Sequence, residues 1–87
     1  MPYEIVYEPP ASKRLKKLKS NRDAVQSAID NLANDPRPDG VRKLAGEDEL
    51  YRIHIDQWRV IYAVSDDEQV VIIAHIRPRN EKTYKNL

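Results

Sequence analysis

Arg52, His54 and Arg59 are the side chains whose types and spacing could do chemistry. Arg52 and His54 are two residues apart in Leu50–Ile55, a run with strand character, so a pleated strand puts both on one face. If Ile55 pairs with Trp58 across the two-residue turn Asp56-Gln57, His54 faces Arg59 and Arg52 faces Ile61. The opposite face then carries Tyr51, Ile53, Ile55, Trp58, Val60, Tyr62 and Val64, an apolar surface ready to receive helices. Cations converging on a pleated surface bind phosphate, and a histidine among them takes or gives a proton near neutral pH. Cleaving RNA without a metal requires little more. A base takes the proton of a ribose 2′-hydroxyl, cations stabilise the charge on the phosphate, and an acid protonates the leaving oxygen. In that chemistry Arg59 and Arg52 are the cations and His54 is the base or a proton shuttle. Ordinary solvated residues on the free face of a sheet would show the same pattern, so both readings stand at this point.

Four further residues border this cluster. A five-residue loop at 65–69 would pair Val64 with Val70, setting His75 opposite Arg59 with Arg77 next along the same face. A four-residue loop would instead flip the third strand and send His75 into the core. Trp58 could stack a nucleobase, but its place on the apolar side favours packing in the core. Tyr84 lies in a basic, polar tail, where it either pins the tail to the domain or stacks on a substrate. Two histidines, no cysteine and no His-x-x-x-His or coordinating acidic cluster argue against a metal site. Gly40 and Gly46 are the only glycines, so no glycine-rich loop cradles phosphate, and no cofactor is expected.

The net charge of +1 conceals a segregation. Residues 1–22 set Lys13, Arg14, Lys16, Lys17, Lys19 and Arg22 against Glu4 and Glu8, a balance of +4. Residues 77–87 set Arg77, Arg79, Lys82 and Lys85 against Glu81, a balance of +3, while the middle of the chain is acidic. Basic ends suggest a polyanion docking there, with Lys13, Lys16, Lys17, Lys19, Lys82 and Lys85 as its contacts. A solvated helix face accounts equally well for the first block.

The elements that must position these groups follow from the period of the apolar residues. Tyr3–Glu8 is rich in β-formers and is stopped by Pro9-Pro10, which predicts a short strand. Ala11, Leu15 and Leu18 recur at helical spacing, predicting a helix that ends near Ser20-Asn21. Asn21 is a candidate cap for a second helix whose stripe is Val25, Ala28, Ile29, Leu32 and Ala33, ending before Asp35-Pro36. The two helices form a hairpin. Residues 35–49 read as turns, with Leu44-Ala45 anchoring the loop to the core. Leu50–Ile55, Trp58–Val64 and Val70–Ile76 are three antiparallel strands, and a short tail follows. The fold class is α+β.

Eighty-seven residues suffice for one domain, 1–87, and cannot divide a core. With no cysteine, stability comes from packing without disulfides, which fits a reducing cytoplasm. Met1-Pro2-Tyr3-Glu4 is not the start of an export signal and Val70–Ala74 is far short of a membrane span, so a soluble cytoplasmic protein is expected.

Four motifs together resemble the RelE/ParE toxin superfamily over nearly the whole chain. They are Lys43-Leu44-x-Gly46, Tyr51-Arg52-Ile53-His54-Ile55, Trp58-Arg59-Val60-Ile61-Tyr62 and Ile73-Ala74-His75-Ile76-Arg77, with Tyr84 in the tail. The order of strand, helix hairpin, three-stranded antiparallel sheet and tail is similar to that fold. In the RelE branch the resemblance implies an endoribonuclease, a toxin that cuts messenger RNA in the ribosomal A site by 2′-hydroxyl attack. It also implies a cognate antitoxin. The functional positions it carries over fall on Arg52, His54, Arg59, Arg77 or Arg79, and Tyr84. Better-known RelE enzymes have lysines on the first strand of the hairpin, where this chain has Arg52 and His54. An arginine stays protonated, so proton abstraction here would pass to His54 or Tyr84. The ParE branch shares the fold and acts on DNA gyrase without cutting RNA, which is the alternative. A non-catalytic RNA-binding module of the double-stranded-RNA-binding kind needs a long helix after the third strand, and eleven residues after Ile76 leave too little room for it.

Overall fold

The computed structural model describes residues 2–43 and 50–79. Strand β1 (Glu4–Tyr7) leads into helix α1 (Pro9–Lys17) and helix α2 (Arg22–Asn31), followed by a two-residue strand β2 (Arg42–Lys43). Then come β3 (Leu50–Ile55), β4 (Trp58–Ser65) and β5 (Val70–Pro78). The strands form one sheet in the order β1-β5-β4-β3-β2: the three antiparallel strands read from the sequence, β3, β4 and β5, are joined by β1, itself read as a strand, and by β2. The extra two are the edges. β1 runs parallel to β5, pairing Glu4 with Val70 through Tyr7 with Ile73, and the connection between them holds the helix pair and β2, β3 and β4. β2 adds Arg42 opposite Arg52 and Lys43 opposite Tyr51. A strand of two residues is too short for any alternating pattern to reveal it.

Helix α1 starts earlier than the sequence suggests. Pro9 and Pro10 occupy its first turn, where a missing N–H costs nothing and the fixed φ already suits a helix. Asn21 precedes α2 but its side chain makes no cap bond; its amide instead donates to Asp56 Oδ2 at 3.3 Å. The apolar faces of both helices, Ala11, Leu15 and Leu18 with Val25, Ile29 and Leu32, are buried in one cluster with Val60, Tyr62, Val64, Val71, Ile73 and Ile76 of β4 and β5. Leu44 and Ala45, read as an anchor of the preceding loop, lie outside the described residues. No described helix is long and apolar enough to cross a membrane.

The loop between α2 and β2 is tied down by polar contacts at the far end of the sheet. Tyr62 is wholly buried, stacks on Tyr51 at 5.8 Å between centroids, and its hydroxyl donates to the carbonyl of Pro36 at 2.8 Å. Arg37 pairs with Asp66 at 2.9 Å and donates through Nε to the Tyr51 hydroxyl, also at 2.9 Å. The Arg37 guanidinium, and then the Tyr3 hydroxyl, hold the Asp66 carboxyl below its ordinary range. Replacing Tyr62 with Phe keeps the ring and leaves the Pro36 carbonyl without its donor, which should cost about 1 kcal/mol. Urea unfolding of Tyr62→Phe against the parent chain measures it, with an unchanged m-value marking a pure stability loss.

Candidate active site

The β3–β4 hairpin pairs Ile55 with Trp58, His54 with Arg59 and Arg52 with Ile61, the register expected from the alternation. Asp-Gln is a poor two-residue turn in isolation, and its neighbours explain why it holds. Asp56 takes φ 54°, a left-handed conformation that Asp tolerates better than most residues. Asn21 reaches its carboxylate, Arg79 Nη1 donates to its carbonyl at 3.4 Å, and the Arg79 N–H donates to the Gln57 carbonyl at 2.8 Å. The turn is therefore braced from α2 on one side and from the end of β5 on the other.

The β4–β5 connection has the four-residue loop of the second alternative read in the sequence, but not its consequence for His75. Ser65 pairs with Val70, leaving a four-residue loop at 66–69, with Gln69 at φ 57°. That parity alone would turn His75 into the core. A bulge corrects it: Ile61 and Tyr62 of β4 oppose His75 and Ile73, so Ala74 is the extra residue. His75 thus lies on the same face as Arg59 but opposite Ile61, and Arg77 is the residue paired with Arg59. The expected pairing of Arg59 with His75 is replaced by an arginine pair.

The face turned away from the helices consequently carries Arg52 and His54 from β3, Arg59 from β4, and His75 and Arg77 from β5. Arg59 is its centre and is only 9% exposed, unusual for a guanidinium. Its Nε–H donates to Nε2 of His54 at 3.1 Å. A ring nitrogen that accepts a hydrogen bond carries no proton, so His54 is neutral with its proton on Nδ1. The surroundings agree. His54 is exposed overall, but its partial desolvation, followed by the charges of Arg59, Arg79, Arg52 and Arg42, lowers its proton affinity below the ordinary histidine value. Arg59 is pulled down too, by burial first and then by Arg52 and Arg79, yet a guanidinium starts so high that it remains a cation. His75 is likewise held toward its neutral form by burial and Arg77, against an opposing pull from Glu8.

Arg42 is the member that sequence reasoning missed. It enters through the β2–β3 pairing and, with Gly40, Arg52 and His54, lines a hollow of about 340 Å³ beside the cluster. Gly40 sits at φ 89°, which only glycine adopts without strain, and this turns the chain so that β2 can reach β3. The glycine was visible in the sequence; the two-residue strand it delivers was not.

The remaining sequence candidates separate into groups. Lys13, Lys16, Lys17 and Lys19 are exposed on α1 and the connection after it, the layer that packs against the opposite face of the sheet. They do not converge with Arg59. Arg79, beyond the end of β5, is exposed and close enough to act on the charges of both His54 and Arg59. Tyr84, Lys82 and Lys85 lie outside the described residues. Among the described residues the cluster brings arginines together around two imidazoles held toward their neutral form, those of His54 and His75.

Residues 5–83 match the family described as ParE toxin of type II toxin-antitoxin system, parDE. The chain is a type II toxin of the RelE/ParE family. A curated relative named as a candidate toxin, RelE1 of Methanocaldococcus jannaschii, is 37% identical to this toxin over 70 residues, 77% of each chain. Among solved structures, the archaeal RelE-RelB complex from Pyrococcus horikoshii superposes with a TM-score of 0.81 at 29% identity, covering 93% of this toxin and 99% of that chain. The isolated RelE toxin of E. coli superposes with a TM-score of 0.78 over 97% of this toxin and 93% of that chain; at 24% identity it speaks to the fold.

Proposed function

We propose that this toxin is a ribosome-dependent, metal-independent messenger-RNA endoribonuclease that cuts by attack of the ribose 2′-hydroxyl and so inhibits translation. The observation that carries the reading is the neutral His54 held by Arg59 at the centre of an arginine-rich sheet face. An RNA phosphate entering this face would meet the guanidinium groups of Arg59, Arg52 and Arg77. As Arg59 turns to the phosphate, Nε2 of His54 is released and takes the 2′-hydroxyl proton. The 2′-oxygen then bonds to phosphorus, the bond from phosphorus to the 5′-oxygen breaks, and a 2′,3′-cyclic phosphate remains. The departing 5′-oxygen needs a proton, for which Tyr84 is the candidate; if Tyr84 is instead the base, His54 serves as the shuttle. Arg77 stands in the pleat opposite Arg59, whereas Arg79 reaches the cluster from beyond the strand, so Arg77 is the better placed to share the phosphate.

The Pyrococcus complex and the Methanocaldococcus relative, both named RelE, support this branch. The family description, ParE, favours the second reading, a gyrase inhibitor with no nuclease activity. Mapping transcript 5′ ends after induction separates them. New cuts in codon register on translated messages are expected; gyrase-linked DNA breaks without such cuts would establish the second reading. The RelE-RelB complex also supports a cognate antitoxin for this chain, whose segment, a helix or strand with acidic side chains, would cover the basic surface or displace the tail. Co-purification with the product of the adjacent gene tests that partner.

A further inference from the structure

A second hollow, of about 360 Å³, lies at the turn end of the sheet and is lined by Gln57, Trp58, Pro78 and Arg79. Its walls come from two places that the fold brings together: the β3–β4 turn and the end of β5, where Trp58 and Pro78 are direct cross-strand partners. Trp58 packs against the core yet remains half-buried, so its ring is shared between the interior and this hollow. The Arg14 guanidinium stands 5.5 Å from the centre of the indole ring. Arg79, on the other wall, is fixed by its two bonds to the turn backbone.

We infer that this hollow is a nucleobase subsite for single-stranded RNA, taking one base of the message beside the cleaved phosphodiester. The inference rests on the nuclease reading above and adds a place for a base that reading does not contain. Three features select the ligand. An indole and a proline ring form flat apolar walls, which suit a planar heterocycle. Gln57 provides a carboxamide able to pair with the donors and acceptors on a base edge. Arg79 supplies positive charge from the wall of the hollow for the adjoining backbone, and Arg14 adds charge from over the indole ring. Arg79 also connects the two sites, since it lines this hollow and acts on the charges of His54 and Arg59. A strand whose phosphate lies on Arg59 therefore meets Arg79 next and turns its base around the sheet end onto Trp58.

Trp58 is the chain's only tryptophan, which makes it a specific photochemical reporter. Ribosomes programmed with messages carrying a single 5-iodouridine, moved one position at a time across the cut, would be irradiated with the full-length toxin and the cross-linked peptide identified. In parallel, cleavage would be measured for Trp58→Leu and Trp58→Phe. A cross-link to Trp58 from one message position is expected, together with about a tenfold or greater rise in KM for Trp58→Leu, in line with the loss of one base–aromatic stack. Trp58→Phe, which keeps an aromatic wall, should recover most of that loss, whereas mere damage to packing would lower the active fraction without the position-specific cross-link. Normal cleavage with no cross-link to Trp58 would overturn the subsite and leave the nuclease reading standing. Shielding of Trp58 by the antitoxin alone would make the hollow an antitoxin anchor and overturn the subsite equally. Absence of any cleavage by the parent chain would remove the nuclease reading and the subsite together.

Discussion

Arg59→Ala is expected to lower the rate of messenger cleavage by about two to three orders of magnitude, the scale of removing one fixed donor to a developing oxyanion. The size of the effect follows from where Arg59 stands. It is buried, paired in register with both His54 and Arg77, and bonded to His54 through Nε, so no neighbouring arginine occupies an equivalent place. Single-turnover cleavage on programmed ribosomes, with circular dichroism to establish folding, measures the loss. Arg59→Lys should recover only part of it, because an ammonium supplies the charge without the planar fork that engages a phosphate and an imidazole at once. Full activity in folded Arg59→Ala would remove this face as the active site.

The second large effect concerns His54 and is read in the pH profile. Only the neutral imidazole accepts a proton, and burial with the surrounding arginines lowers its proton affinity. The sign follows directly. Activity is present above the folded-state value and disappears as the pH falls through it, so kcat/KM should be flat near neutrality with its acid limb below about 6.5, the ordinary histidine value. His54→Ala should lose about two to four orders of magnitude and the acid limb with it, the scale of general acid–base catalysis. His54→Lys substitutes a base of ordinary value about 10.4, so any recovered activity should appear with its limb moved to higher pH. An acid limb retained unchanged in His54→Ala would transfer the base role to another group.

Much of the architecture was legible because side-chain period reports directly on burial. The helical spacing of Ala11, Leu15 and Leu18, and of Val25, Ile29 and Leu32, marked the two faces that the core contains. The alternation through Tyr51, Ile53, Ile55, Trp58, Val60 and Tyr62 set the β3–β4 register, since a slip of one residue would have exposed that whole row. The facing of His54 and Arg59 was available from the same argument.

Other features depend on contacts between residues distant in sequence, which no local pattern carries. The parallel pairing of β1 with β5 joins residues more than sixty positions apart, and Glu4–Tyr7 looks the same whether it sits at an edge or alone. β2 exists only because β3 offers it a partner, so Arg42 was absent from the candidate site. The bulge at Ala74 is another such case. Alternation assumes strict parity along a strand, and one extra residue reverses it, which is why His75 kept to the outer face while its partner changed from Arg59 to Ile61.

The sequence by itself determined the elements other than β2, the buried faces, the β3–β4 register and the resemblance to RelE/ParE toxins, because each depends on residue types at short spacing. Only the tertiary structure decided that Arg59 is buried with Nε directed at His54, that Arg77 is its partner in the pleat, and that Arg42 and Arg79 add their charge from separate segments. The physical reason is that an imidazole's protonation and an arginine's burial depend on every charge and wall within a few ångströms, and those are assembled from four stretches of chain that meet only on folding.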